Sequence, residues 1–182
     1  MIGSAGHPGS ASRAQEEVIA FLSRPESYPG LAVRSVERHE THSAIVFLAG
    51  DRAFKMKRAV SFPYMDLSTL DRRQRMIERE VAINRVHAPG LYLGVRAVVR
   101  DASGALRLDE TRGDGTPVEA LLEMRRFPQA CLLSAMVTRG AMTEADAAKL
   151  ARVVFDGHQR LPRHDVEDAG LRMARIVDGV AS

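Results

Sequence analysis

Residues 43–84 read SAIVFLAGDRAFKMKRAVSFPYMDLSTLDRRQRMIEREVAIN, and this stretch decides the fold that we predict. Its apolar beginning and the alternation of apolar and basic residues in AFKMK predict two strands joined by a tight turn. A short loop follows, and the second half carries apolar residues at the spacing of an amphipathic helix. The framework is therefore a lysine-bearing strand that leads into a long helix.

One glutamate of this helix lies on its apolar face. The predicted core-facing stripe follows the i, i+3, i+4, i+7 spacing and consists of Met76, Ile77, Glu80, Val81 and Asn84. Glu78 lies about 200° away on a wheel of about 100° per residue, so we predict that it is solvated. A buried charge without its partner costs about 3–5 kcal/mol. A cation must therefore reach Glu80.

Two lysines of the preceding strand are the candidates for that cation. Phe54 and Met56 alternate with Lys55 and Lys57, so the apolar pair faces one side of the sheet and the lysines face the other. The pattern leaves either lysine as the partner. A strand lysine paired with a glutamate of the next helix holds the nucleotide phosphates in kinase-type enzymes. The alternative is a lysine on a solvated face beside a helix-edge glutamate.

Five pieces of sequence carry a resemblance to a known family. In chain order they are AFKMKRAV, SFPYMDLSTL, EVAINR, APGLYLGV and EMRRFP, and the resemblance covers roughly residues 36 to 160. In these pieces the chain resembles the N-terminal lobe of the aminoglycoside-phosphotransferase branch of kinase-like proteins. It is most similar to the N-terminal part of bacterial bifunctional aminoglycoside phosphotransferase and ATP-binding proteins.

The resemblance implies a nucleotide site with ATP and Mg²⁺ as cofactors. Lys55 corresponds to the phosphate-contacting lysine and Glu80 to its helix partner, with Lys57 in that role if the strand register shifts by two. The turn between the first two strands covers the phosphates in such a lobe, and here it has no glycine. Phosphate contacts would come from backbone N–H groups and hydroxyls around Thr41 and Ser43.

The resemblance also implies a hinge between two lobes. It places the hinge at Glu123 to Arg126, where the backbone groups of Glu123, Met124 and Arg125 would meet the adenine edge. The predicted fold class is α+β: a kinase-like N-terminal lobe and hinge over residues 14–127, with a five-stranded antiparallel sheet and one long helix. Residues 1–13 are predicted to be disordered, and residues 128–182 to form a partial helical C-terminal lobe.

The catalytic loop of such enzymes is not recognisable in this sequence. Phosphoryl transfer of this type needs a catalytic aspartate, an asparagine about five residues later and a second metal-binding aspartate. Asn84 is the sole asparagine of the chain, and neither Arg163-His164-Asp165 nor Asp178-Gly179 has the required residues after it. We assign no catalytic or metal-binding residue, and we expect the matching lobe to stop before its catalytic machinery.

The predicted function is ATP-dependent phosphoryl transfer to a small hydroxylated molecule, with little or no turnover by this chain alone. The alternative is a non-catalytic module that binds nucleotide or a protein. The predicted partners are a nucleotide and a missing C-terminal lobe or second chain.

Composition limits the other classes of function. The chain has 182 residues, of which 45% are hydrophobic, and 26 Lys and Arg face 23 Asp and Glu for a formal charge of +3. The mild surplus favours anionic ligands, but aromatic residues make up 5% and are not interleaved with the basic ones, so nucleic acid is not a predicted partner. No apolar run reaches the length of a membrane span and no signal peptide is recognisable, so the expected location is the cytoplasm.

Overall fold

The computed structural model describes residues 8–109, 115–161 and 168–181. The chain divides into two units, Met1–Arg126 and Phe127–Ser182. The predicted lobe boundary, between residues 127 and 128, lies one residue from this division.

The first unit is built from a mixed set of helices and strands. Its helices are α1, Pro8–Leu22, and α2, Leu70–His87, with a 3-10 turn at Pro25–Ser27. Its strands are β1, Val36–Glu40; β2, Ala44–Ala49; β3, Arg52–Lys57; β4, Ser61–Phe62; β5, Met65–Asp66; β6, Tyr92–Arg100; β7, Leu106–Asp109; and β8, Thr116–Arg125. The predicted α+β class is confirmed.

The main sheet is antiparallel, as predicted, but it has six strands rather than five within the described residues. The strand order is β1-β2-β3-β8-β6-β7, and β4 pairs with β5 in a separate hairpin. The additional pairing involves β6, which is nine residues long. It pairs with β8 on one side and, over residues 97–100, with β7 on the other.

The turn between β2 and β3 is short and requires a glycine. Gly50 has a φ of 58°, in the left-handed region that side chains disfavour. A Cβ at this position would lie 3.3 Å from the carbonyl oxygen of Ala32. The turn sets the register in which Ala44 faces Lys57 across the two strands.

Helices cover both faces of the sheet. On one face, Val18 and Leu22 of α1 pack in a buried cluster with Phe54 and Leu121. On the other, Ile77 of α2 packs in a second cluster, and its companions there are Val81, Ala120 and Leu122. Successive strand residues point to opposite faces, so the change of cluster between residues 121 and 122 separates the α1 face from the α2 face.

The predicted stripe of α2 is right for its centre and wrong at its edge. Ile77 and Val81 are buried, whereas Met76 is 37% exposed and Arg73, which was not predicted, is buried. The buried stripe is rotated toward Arg73, which lies four residues before Ile77 on the same face. Glu78, predicted to be solvated, is half-buried, and its Oε1 accepts a hydrogen bond of 3.0 Å from Gln74.

The N-terminal prediction needs a correction. Helix α1 begins at Pro8, so residues 8–13 are helical rather than disordered, while residues 1–7 lie outside the described residues. Helix propagation adds a hydrogen bond for each further residue once a turn has formed. The part of α1 that packs on the sheet through Val18 and Leu22 can therefore be extended by further helical turns toward the N-terminus. Pro8 is tolerated at the start of this helix because a first-turn N–H has no partner within the helix.

The second unit is helical in its described part. It contains a 3-10 turn at Gln129–Cys131 and the helices α3, Leu133–Thr138; α4, Glu144–Arg160; and α5, Ala169–Ala181. Thr143 begins α4 with a capping box in which its hydroxyl accepts from the N–H of Asp146 and the Asp146 carboxylate accepts in return. The segment Arg163–Asp165, considered above as a catalytic loop, lies outside the described residues.

A buried polar network ties α1 and α2 to the sheet. Nε of Arg73 lies 3.0 Å from both carboxylate oxygens of Glu119, and these two side chains are 6% and 1% exposed. Nε2 of Gln15 donates to Oε2 of Glu119 at 2.7 Å and to the carbonyl of Lys57 at 2.9 Å. The network therefore joins both helices to β8 and to the end of β3.

We expect the variant Arg73→Met to lose about 3–5 kcal/mol of unfolding free energy, because it leaves the Glu119 carboxylate buried without its cation. Arg72→Met is the matched control, since Arg72 pairs with Asp66 at the surface and surface pairs contribute little. Urea unfolding measures both. Equal losses in the two variants would show that the buried pair does not hold α2 on the sheet.

Candidate functional site

The structure contains an ion triad on the α2 face of the sheet. Nζ of Lys55 lies 2.7 Å from Oε1 of Glu80, and Nζ of Lys57 lies 2.7 Å from Oε2. The sequence left the partner of Glu80 open between the two lysines, and the structure pairs it with both. The alternation of side chains along β3 already placed both lysines on one face of the strand, so both could reach the same carboxylate.

The three members of the triad differ in exposure. The side chain of Lys55 is 27% exposed, that of Glu80 17% and that of Lys57 11%. Burial raises the pKa of the Glu80 carboxyl, but hydrogen bonds and charge attraction from Lys55 and Lys57 outweigh burial and hold this pKa below its ordinary value. Two ammonium groups against one carboxylate leave the triad with a formal charge of +1. The triad therefore attracts anions.

Neighbouring contacts hold the triad in place from both elements. Ile77 and Val81 fix α2 on the sheet within one turn of Glu80, and Nδ2 of Asn84 donates to the carbonyl of Glu80 at 2.9 Å. On the strand side, β3 lies between β2 and β8. The backbone that carries both lysines is thus paired on its two edges.

The turn predicted to contact phosphates joins β1 to β2. It lies beside the last residue of β3, because Ala44 faces Lys57 across the two strands. The N–H and hydroxyl of Thr41 both donate to the carbonyl of Ala44, at 2.8 and 3.2 Å, and the Ala44 N–H donates to Oγ1 of Thr41 at 3.1 Å. These groups of Thr41 close the turn. The carbonyl of Ser43 accepts from the N–H of Arg58 at 2.9 Å. The prediction that this turn contacts a ligand stays a prediction.

Arg58 brings a cation to this turn that the sequence analysis did not single out. Its Nη1 donates to the carbonyl of Thr41 at 3.3 Å and lies 3.9 Å from a carboxylate oxygen of Glu40. The available signal was its position directly after Lys57 in the sequence. Three basic side chains therefore occur within four residues at the end of β3.

The predicted hinge residues occupy the end of β8, inside the sheet. The carboxylate of Glu123 lies 2.7 Å from Nε of Arg96 and 3.3 Å from Nε of Arg52. Strand alternation points Glu123 away from the α2 face, whereas Met124 packs on that face with the cluster around Ile77. The side chains of Glu123 and of the triad are thus on opposite faces.

The backbone at the end of β8 is largely used within the fold. The N–H of Arg125 donates to the carbonyl of Leu91 at 2.9 Å, and the N–H of Arg126 donates to that of Asp51 at 2.8 Å. The N–H of Arg125 is one of the groups that the hinge prediction offered to an adenine edge, and Arg126 is the last residue of the predicted hinge. An adenine contact here would have to use other groups of the segment.

A separate cavity lies between α2 and the strands β6 and β8. Its volume is about 220 Å³, and it is lined by Leu70, Gln74, Glu78, Val95, Arg96, Ala97, Pro117, Glu119 and Ala120. None of the triad residues lines it. The triad and this cavity are therefore separate features of the first unit.

Within the described residues there is neither a cluster of metal-ligating side chains nor a helix that could cross a membrane. There, no three or more His, Cys, Asp or Glu side chains come together in a way that could hold a metal ion. No described helix has both the length and the apolar character needed to cross a membrane.

Comparison with known proteins gives distant and partial relatives. The chain is 37% identical over 129 residues to Rv2004c of Mycobacterium tuberculosis and to Mb2027c of Mycobacterium bovis, both named as uncharacterized proteins. The match covers 71% of this chain and 24% of each relative, so the chain spans about a quarter of the length of the curated relatives it matches. No family model and no solved structure matches the sequence.

The depressed pKa of Glu80 predicts a pH-dependent contribution to stability. A carboxyl whose pKa is lower in the folded state contributes stability that is complete above its unfolded pKa of about 4.5 and is lost as pH falls through the folded value. We expect wild type to be more stable than Glu80→Gln near neutral pH. This difference should shrink below about pH 4.5.

Urea unfolding between about pH 7 and pH 3 measures the difference. Asp71→Asn is the control, because it removes a carboxylate of the same helix whose pairing with Arg75 is exposed. A stability difference between wild type and Glu80→Gln that does not change with pH would contradict the assignment of the triad as a charged unit.

Proposed function

We propose that the first unit binds the phosphate groups of a nucleotide through Lys55, as the N-terminal lobe of a kinase-like phosphotransferase. The proposal rests on one ion pair: Nζ of Lys55, on β3, lies 2.7 Å from Oε1 of Glu80, on the long helix α2 that follows. In protein kinases a strand lysine that pairs with a helix glutamate in this way contacts the nucleotide phosphates, and the pair must be in place for phosphoryl transfer.

Exposure and charge support the same proposal. Lys55 is the most exposed member of a triad with a formal charge of +1, so it can reach a ligand while Glu80 keeps a second cation. The resemblance of residues 36–160 to the aminoglycoside-phosphotransferase branch supports ATP as the nucleotide. For the protein as a whole, we propose ATP-dependent phosphoryl transfer to a small hydroxylated molecule.

Nucleotide binding, rather than turnover, is the activity we propose for these 182 residues. No residue here is assigned as the catalytic aspartate or as a metal ligand, and phosphoryl transfer of this type depends on both. The phosphates and their binding lysine are the part of the reaction that the triad can serve. Its charge complements an anion without a proton transfer.

The second candidate function is protein binding by the helical unit. Large apolar side chains of its helices are exposed: Leu133, Val137, Leu150, Val153, Val154, Phe155, Leu171, Met173, Ile176 and Val177. Contiguous exposed apolar surface marks interaction sites in soluble proteins. This observation favours the interaction module that the sequence left as an alternative.

Mg-ATP should raise the melting temperature of the wild type by several degrees. At a ligand concentration of 100 times Kd, binding adds about 2.7 kcal/mol, and each kcal/mol corresponds to about 2–4 °C for a protein of this size. Lys55→Ala should show no shift. Arg75→Ala, which removes an exposed cation of α2, should keep the shift, and Mg²⁺ alone gives the baseline for each protein. No shift in the wild type would reject nucleotide binding.

Size-exclusion chromatography with light scattering tests the second candidate. If the exposed residues of α4 bind protein, the wild type should form an oligomer or a stable complex, because covering them removes apolar surface from water. The double variant Val153→Ser/Phe155→Ser should shift toward the monomer. A wild type that is monomeric at all concentrations would argue against self-association through α4.

A further inference from the structure

We infer that Lys57 is a positioning residue, which holds Glu80 through its second carboxylate oxygen and so frees Lys55 to bind a phosphate group of the ligand. This inference rests on the proposed function and deepens it. It assigns the two lysines different roles, although the sequence treats them as alternatives for one role.

The geometry gives each lysine its own oxygen of the same carboxylate. Lys55 lies on Oε1 and Lys57 on Oε2, each at 2.7 Å. A carboxylate can accept from both at once because its two oxygens offer about four lone-pair directions. Loss of one lysine contact therefore leaves the other in place.

Burial separates the two roles. Lys57 is 8% exposed as a whole residue, and its carbonyl accepts the 2.9 Å hydrogen bond from Gln15. An ammonium at this depth would lose the counter-charge of Glu80 if it moved away, and a buried charge without a partner is strongly unfavourable. Lys55 is more exposed, so its ammonium, which has three N–H donors, can contact an anionic ligand while it stays beside Glu80.

Charge balance explains why the second lysine matters for ligand binding. With Lys55 alone, the pair would be neutral and would offer a phosphate no net charge. With Lys57 present, Lys57 neutralises the carboxylate, and the charge of Lys55 remains available to the phosphate. The ligand class that fits is a phosphate-bearing anion, for which a lysine acts as a point charge.

Three variants separate positioning from general charge or folding effects. Lys57→Met should weaken Mg-ATP binding by about tenfold, because Glu80 then neutralises the charge that Lys55 offers to the ligand. Lys57→Met/Glu80→Gln should regain most of this loss, because the neutralising carboxylate is gone. Lys55→Met should abolish binding, and adding Glu80→Gln to it should restore nothing. Arg75→Met removes an exposed cation of α2 that pairs with Asp71, away from Glu80, and should change the affinity little.

Isothermal titration calorimetry with Mg-ATP measures these affinities. The pKa of the Glu80 carboxyl, followed by carbon NMR, gives a readout that needs no ligand. It should rise in Lys57→Met, since a cation that stabilises the ionised carboxyl has been removed.

The outcomes distinguish the inference from the proposed function. Wild type that does not bind Mg-ATP would reject the proposed function and this inference with it. Wild type that binds, together with an unchanged affinity in Lys57→Met or no recovery in the double variant, would reject this inference alone. An unchanged Glu80 pKa in Lys57→Met would also reject it.

Discussion

The pairing of the half-buried Glu80 carboxylate with two lysines is the interaction on which the arrangement of α2 and β3 depends. A carboxylate on the packed face of a helix requires cations, and the strand on the opposing surface supplies two of them at 2.7 Å. These contacts join the middle of α2 to β3. Ile77 and Val81 add the apolar contact that makes this arrangement stable.

A second buried ion pair gives the same helix its other anchor. Arg73 and Glu119 are almost fully buried, and Gln15 extends the network to α1 and to the backbone of Lys57. Helix α2 is thus held at two points, by Arg73 near its start and by Glu80 near its middle. The consequence for function is a lysine pair that is presented on a fixed strand rather than on a loop.

The sequence predicts the parts of this arrangement that depend on local periodicity. Alternation along β3 places Lys55 and Lys57 on one face of the sheet. The helical spacing of Ile77, Glu80 and Val81 places Glu80 on the face of α2 that packs against these lysines. It does not reveal Arg73, because α2 begins with several arginines and the partner that selects one of them, Glu119, lies 46 residues away. Local patterns contain no information on such a pairing. The same reason hides the role of Gln15, which depends on a docked helix.

The central claim is that Lys55 binds a phosphate group, and a crystal structure with Mg²⁺ and a non-hydrolysable ATP analogue tests it most directly. The account predicts a phosphate oxygen at about 2.7–2.9 Å from Nζ of Lys55, with the contact between Lys57 and Glu80 retained. A nucleotide bound elsewhere, with Lys55 still on Glu80, would contradict the account.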